Sequence, residues 1–254
     1  MKEKILLIAG GSDPAGSEID GTPDSAYNRE HSFGNQLAHR LNRRPINIAM
    51  RGVANGCITR SVLEWFEKFY DSETMDVFVL VGWANSSRME APFHRPTWYN
   101  EQNPNADWVS ETSFDYLQIQ HGNKTVNRDE RDIYDRYNDF IIHDEIFLEI
   151  LSANYALQLQ YFFKMQKIPY LLVNTLYQFT KTNNHIQFYL SQIDRNRYLD
   201  FDNNEEPFYY KYAAMGYKNL KAQYFHHSEE PHWRYSEHLR DHIIKYNLED
   251  PNVW

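Results

Sequence analysis

Four short apolar runs interrupt stretches of helical period along this chain, and that alternation limits the fold more than any other feature of the sequence. The runs are Lys4–Ala9, Ile46–Met50, Val77–Val81 and Tyr170–Val173, each Leu-rich or β-branched and each ending near turn residues. Such runs are the mark of strands buried on both faces. Between them, Ser32–Leu41 sets Phe33, Leu37 and Leu41 four apart, and Ile58, Val62, Trp65, Phe66 and Phe69 make one stripe at helical spacing. Asp144–Lys164 carries Phe147, Ile150, Leu151, Leu157 and Phe162 and reads as a long packed helix. Ser228–Tyr246, with Tyr235, Leu239 and Ile243 on one face, reads as the last one. Its first turn holds Glu229 and Glu230, where the helix dipole favours negative charge, and Pro231, which that turn tolerates. Strands alternating with helices predict a three-layer α/β/α domain around a mostly parallel central sheet. Ligands in such sheets bind beyond the carboxyl ends of the strands.

The length, 254 residues, suits one domain spanning 1–254. The pattern breaks at about 13–30, 91–139 and 177–217, which are expected to be loop insertions. A hydrophobic content of 42%, with 19 Tyr, 15 Phe and 6 Trp, excludes intrinsic disorder. A formal charge of −9 and no Lys/Arg run longer than Arg43-Arg44 argue against a nucleic-acid binder, which needs a cationic face. The longest apolar runs are strand-sized, far below the ~20 residues of a membrane helix. The apolar stretch after Met1-Lys-Glu-Lys is too short for a secretory signal. One cysteine, Cys57, makes no internal disulfide and no zinc site by itself. The expected setting is the cytoplasm, with no membrane partner, no cofactor and no metal.

The strand ends carry the candidate chemistry. The first runs into Gly10-Gly11-Ser12-Asp13, where Ser12 either caps a turn or exposes a nucleophilic hydroxyl beside backbone amides. The Gly-x-Ser-x-Gly elbow is absent, because Pro14 stands at its last glycine, and no lysine makes this a phosphate loop. The second ends in Arg51-Gly52-Val53-Ala54-Asn55-Gly56, which fits either an Asn–Gly turn or a set of ligand donors. The third ends in Gly82-Trp83-Ala84-Asn85-Ser86-Ser87-Arg88. Just before the final helix comes Phe225-His226-His227-Ser228-Glu229-Glu230-Pro231-His232. Three histidines in seven residues suit acid/base chemistry better than a metal, since no acidic or cysteine partner stands at ligand spacing.

In their order these pieces resemble the SGNH (GDSL-like) serine hydrolases, in a divergent form similar to proteins of tailed phages. The resemblance runs from Ile8-Ala-Gly-Gly-Ser-Asp-Pro-Ala-Gly through Ser32-Phe-Gly-Asn-Gln-Leu-Ala and Asn47-Ile-Ala-Met-Arg-Gly-Val-Ala-Asn-Gly to Val81-Gly-Trp83. It closes with His226-His-Ser-Glu-Glu-Pro-His232, similar to the family's His-Pro-Ser-x-x-Gly-His block. It implies an SGNH hydrolase-like fold of flavodoxin-like topology and acyl-ester hydrolysis, with Ser12 as nucleophile and His226 as general base. His227 is an alternative base, standing where the family has proline. The implied oxyanion hole comprises Gly52 and an asparagine, either Asn85 or Asn55, because the Gly-x-Asn-Asp block reads Gly82-Trp83-Ala84-Asn85 here. The acid expected three residues before the histidine is replaced by Gln223, which can orient the ring but not offset its charge; in a serine triad such a change costs about 10⁴ in turnover.

The implied substrates are small esters, O-acylated saccharides among them, with the aromatic stretch Phe93–Trp108 available to stack on sugar rings. The alternative is an SGNH-like scaffold with weakened or lost turnover, a homo-oligomer or virion assembly component in the host cytoplasm or the particle. A nucleotide-binding α/β protein, suggested by Gly10-Gly11-Ser12 and Gly52, is the third reading, and the acidic charge speaks against it.

Overall fold

The computed structural model describes residues 2–86, 88–93, 115–120, 145–176, 179, 184–199, 207–217 and 226–253; for 91–93, 115–120 and 145 it describes the backbone alone. Strand β1 (Glu3–Gly10) lies between β2 (Arg44–Asn47) and β3 (Met75–Trp83), and β3 is the central strand. Beyond β3 come β6 (Tyr170–Asn174) and the two-residue β7 (Tyr198–Leu199), giving the order β2-β1-β3-β6-β7. Every pairing in this sheet is parallel.

Alternation along the strands sorts the core into two layers. Ile5, Leu7 and Ala9, with Val77, Val79 and Val81, pack on Val62 and Phe66 of α4 (Asn55–Phe69) and on Leu159 and Phe163 of α5 (Glu145–Gln166). Leu6, Ile8, Phe78 and Leu80 face the other way. They meet Phe33 and Leu37 of α3 (Phe33–Arg40) and Tyr235 and Leu239 of α8 (Glu229–Lys245). This is the three-layer α/β/α architecture expected of the alternating pattern. Each of the four anticipated strands is present. The second runs Arg44–Asn47, starting and ending earlier than the expected Ile46–Met50, although the amides of Ile48 and Met50 still donate to the carbonyls of Ile8 and Gly10 at 2.8 and 3.0 Å.

Some details differ from expectation. Phe69 and Phe147 were placed on apolar stripes, yet they are 48% and 46% exposed, because each lies in a terminal turn of its helix where the partner layer ends. The 13–30 stretch holds α1 (Ser12–Ala15) and α2 (Ala26–Glu30). The 91–139 stretch begins in a hairpin: β4 (Arg88–Phe93) pairs antiparallel with β5 (Asp115–Gln120) as a separate two-stranded sheet. The third stretch contributes α6 (Asn184–Leu190), β7 and α7 (Phe208–Ala214). Apart from the backbone of Phe93, the aromatic stretch Phe93–Trp108 lies outside the described residues. Among the described residues no helix is long and apolar enough to cross a membrane.

Candidate active site

The site is built from the carboxyl end of β1 outward. Gly10 and Gly82 are register partners on β1 and β3, and the short helix α1 lies across both. A Cβ on Gly82 would come within 2.4 Å of Pro14 Cγ, so only glycine lets the turn sit this close to the sheet. Ser12 opens α1 and is buried. The chain then closes on itself, the Ser17 amide donating to the Ser12 carbonyl at 3.0 Å. It passes through Glu18 with φ +64°, a left-handed backbone that costs a non-glycine residue about 1 kcal/mol or more and tends to occur where function requires it.

Glu18 is where the structure adds to the sequence reading. Its side chain is 1% exposed, and its Oε2 lies 2.7 Å from His226 Nδ1. A carboxylate accepts at that distance, so Nδ1 carries the hydrogen and Nε2 is left with the lone pair that a general base needs. Among the described residues neither Nε2 of His226 nor the Ser12 hydroxyl makes a hydrogen bond. Gln223, the expected orienter, lies outside the described residues. Spacing did not reveal Glu18, because Asp13 and Asp20 stand in the same loop and only the turn geometry separates them.

The three neighbouring histidines divide their tasks. His227 is buried, with Nδ1 2.9 Å from the Tyr217 carbonyl and Nε2 2.9 Å from that of Tyr209. Both ring nitrogens face backbone oxygens, which leaves none for a serine. His232 is also buried, and its Nδ1 accepts the Phe33 amide at 3.2 Å, supplying a partner for a first-turn N–H of α3. Burial, then the nearby His227 and His226, push its pKa well below the ordinary 6.5, so it is neutral. Among the described residues no three His, Cys, Asp or Glu side chains are grouped to hold a metal ion.

Of the expected oxyanion donors, Gly52 sits at an exposed turn with φ +77°, a conformation that suits glycine. Asn55 is buried and committed. Its Nδ2 donates to Ala84 O at 3.2 Å and Ser152 Oγ at 3.0 Å, while its Oδ1 accepts from Ala84 N at 2.9 Å. It clamps α4 to the end of β3. Asn85 is half-buried, and its carbonyl accepts the Arg88 amide at 3.2 Å.

Two charged groups beside these loops were not anticipated. Asp13, next to Ser12, is 1% exposed, and neither carboxylate oxygen has a hydrogen-bond partner among the described residues. The hydroxyl of Thr175, which faces it, donates to Trp83 O at 2.8 Å instead. Burial raises the Asp13 pKa above the ordinary 3.8, and His226, His227, Thr175 and Arg88 pull it down by less. Arg88, the first residue of β4, places Nη1 3.4 Å from the Val53 carbonyl, and its buried Nε has no partner among the described residues.

The chain is similar to several solved structures of lipolytic and carbohydrate esterase proteins. One is a protein of the G-D-S-L lipolytic family from Desulfitobacterium hafniense (12% identity, 94% of this chain and 99% of that one, TM-score 0.44). Another is a carbohydrate esterase family 2 enzyme with a carbohydrate-binding domain from Corynascus (11% identity, 95% and 66%, TM-score 0.49). A third is an acetyl xylan esterase from the rumen bacterium Butyrivibrio proteoclasticus (11% identity, 96% and 64%, TM-score 0.45). The chain thus spans about two thirds of the length of these carbohydrate esterases. No family model and no curated protein matches it in sequence.

Proposed function

We propose that this protein is a serine ester hydrolase working through Ser12, His226 and Glu18. The observation that carries the reading is the 2.7 Å contact between Glu18 and His226 Nδ1, made from the same loop that Ser12 opens. Ser12 Oγ attacks the acyl carbon while its proton passes to His226 Nε2, and the imidazolium that forms is offset by the Glu18 carboxylate. The tetrahedral oxyanion is held by the amides of Ser12 and Gly52 together with Asn85, Asn55 being spent on Ala84 and Ser152. Nε2 then protonates the departing alkoxide. Water, activated by the same nitrogen, hydrolyses the acyl-enzyme and returns the proton to Ser12. Apo hydrogen bonds of this kind are commonly long and tighten with substrate bound.

The alternative of a scaffold without turnover rests on Gln223 standing where an acid belongs. Glu18 supplies a carboxylate at the required nitrogen, which favours catalysis. The substrate class we propose is a small acyl ester, with O-acetylated sugars included in the screen. The test is intact-mass labelling with a fluorophosphonate, with 4-nitrophenyl acetate turnover in parallel. A single adduct on wild type, missing in Ser12→Ala and strongly slowed in His226→Ala, is expected. Folded wild-type protein that forms no adduct and turns over no ester would overturn the reading.

A further inference from the structure

Asp13 and Arg88 are an unusual pair: Asp13 is buried, Arg88 is half-buried with its Nε enclosed, and neither Asp13 oxygen nor that Nε has a partner among the described residues. Unpartnered buried polar groups are costly and call for a specific explanation. Their neighbours supply one. Asp13 adjoins Ser12 in the chain, and Arg88 Nη1 lies 3.4 Å from the carbonyl of Val53, which adjoins Gly52. Ser12 and Gly52 are the residues whose amides the esterase reading assigns to the oxyanion. The guanidinium therefore touches the loop that carries Gly52, and its charge acts on Asp13, the neighbour of Ser12. Arg88 also belongs to β4, the hairpin that leaves the sheet at this edge, so its placement does not depend on the Ser12 loop itself.

We propose that Arg88 is a catalytic residue: its guanidinium donates a charge-assisted hydrogen bond to the oxyanion of the tetrahedral intermediate. This rests on the esterase reading and adds a charged donor to the neutral ones. Arginine suits the role because it stays protonated when desolvated and presents several N–H groups in a rigid plane. No bond of the protein changes in this step; the donor strengthens its contact as negative charge moves onto the oxygen and relaxes when the carbonyl re-forms.

The test compares wild type, Arg88→Met and Arg88→Lys by 4-nitrophenyl acetate kinetics and thermal unfolding, with and without millimolar guanidinium chloride. At unchanged Tm, Arg88→Met is expected to lose roughly 10²–10³-fold in kcat with KM little altered, and added guanidinium to restore part of it. If the Met variant does not fold, Arg88→Lys decides: a point charge without the planar fork still lowers kcat by about tenfold or more. Unchanged kcat in a folded variant, or a loss confined to KM, overturns the proposal while leaving the esterase reading intact. So does a loss of kcat that tracks a lowered Tm and is not restored by guanidinium. Wild type that forms no fluorophosphonate adduct overturns both.

Discussion

The two ends of the central sheet treat buried charge in opposite ways. At the amino ends, Arg43 donates to the carbonyls of Ile5 and Asp76 and pairs with Asp76 and Glu249 at 3.2 and 2.8 Å. Arg197 there donates to the carbonyls of Tyr170, Leu248 and Val253. These guanidinium groups fasten strand starts to the C-terminal segment, while the Tyr170 hydroxyl is buried there without a partner among the described residues. At the carboxyl ends, Asp13, the Nε of Arg88 and the indole N–H of Trp83 are buried without partners among the described residues. One edge is arranged for stability. The other keeps polar groups available at some cost in stability, as functional sites do.

That contrast makes separable predictions. The largest effect is expected from Glu18→Gln, which keeps the shape of the loop but removes the charge facing His226. Turnover of 4-nitrophenyl acetate should fall by about 10⁴ with Tm nearly unchanged, and a variant within tenfold of wild type would show that Glu18 has no part in catalysis. Arg197→Met is expected to do the reverse. Stranding three carbonyl acceptors at the amino edge should cost about 3 kcal/mol by urea unfolding, with kcat preserved under native conditions.

A smaller effect concerns pH. The His232 pKa is lowered on folding, so the unfolded chain binds the proton more readily. The associated stability is full above about pH 6.5, the ordinary histidine value, and falls as pH drops through it. His232→Gln should flatten the fall of Tm between neutral and mildly acidic pH. The smallest effect has the opposite sign. Asp13 has a raised pKa, so its contribution is present below the ordinary carboxylate value and is lost as pH rises through the folded one. Above that range the buried carboxyl costs stability, and Asp13→Asn should gain about 1 kcal/mol at neutral pH while slowing turnover. A lower Tm in that variant would break the comparison, because it would place Asp13 among the structural charges.

Much of the fold was legible because alternation along β1, β3 and β6 reports burial on two faces directly. Leu6 and Leu7 could only be core, whichever helix covered them. The hairpin of β4 and β5 was not legible, since Arg88–Phe93 has a polar and mixed pattern and pairs across a long separation. Ser12 and His226 could be named from strand-end position and from resemblance. Glu18 could not, because its approach to His226 depends on Gly16 and a left-handed residue reversing the chain. The role of His227 was hidden for a related reason: its partners are backbone carbonyls of Tyr209 and Tyr217, and no side-chain pattern announces a carbonyl.

The packing of Pro14 on Gly82 has a further consequence. Because α1 rests on β3 as well as on the strand it follows, the segment from Ser12 to Glu18 is tied to two neighbouring strands. The residues that this segment supplies to the site precede the β4–β5 pair in the chain, and His226 follows it. A protease cut within the β4–β5 hairpin would therefore sever the polypeptide between the catalytic groups. The parallel pairing of β3 with β6 would still bridge the break, so the two fragments can co-purify as one complex and be tested for reconstituted activity after separation and remixing.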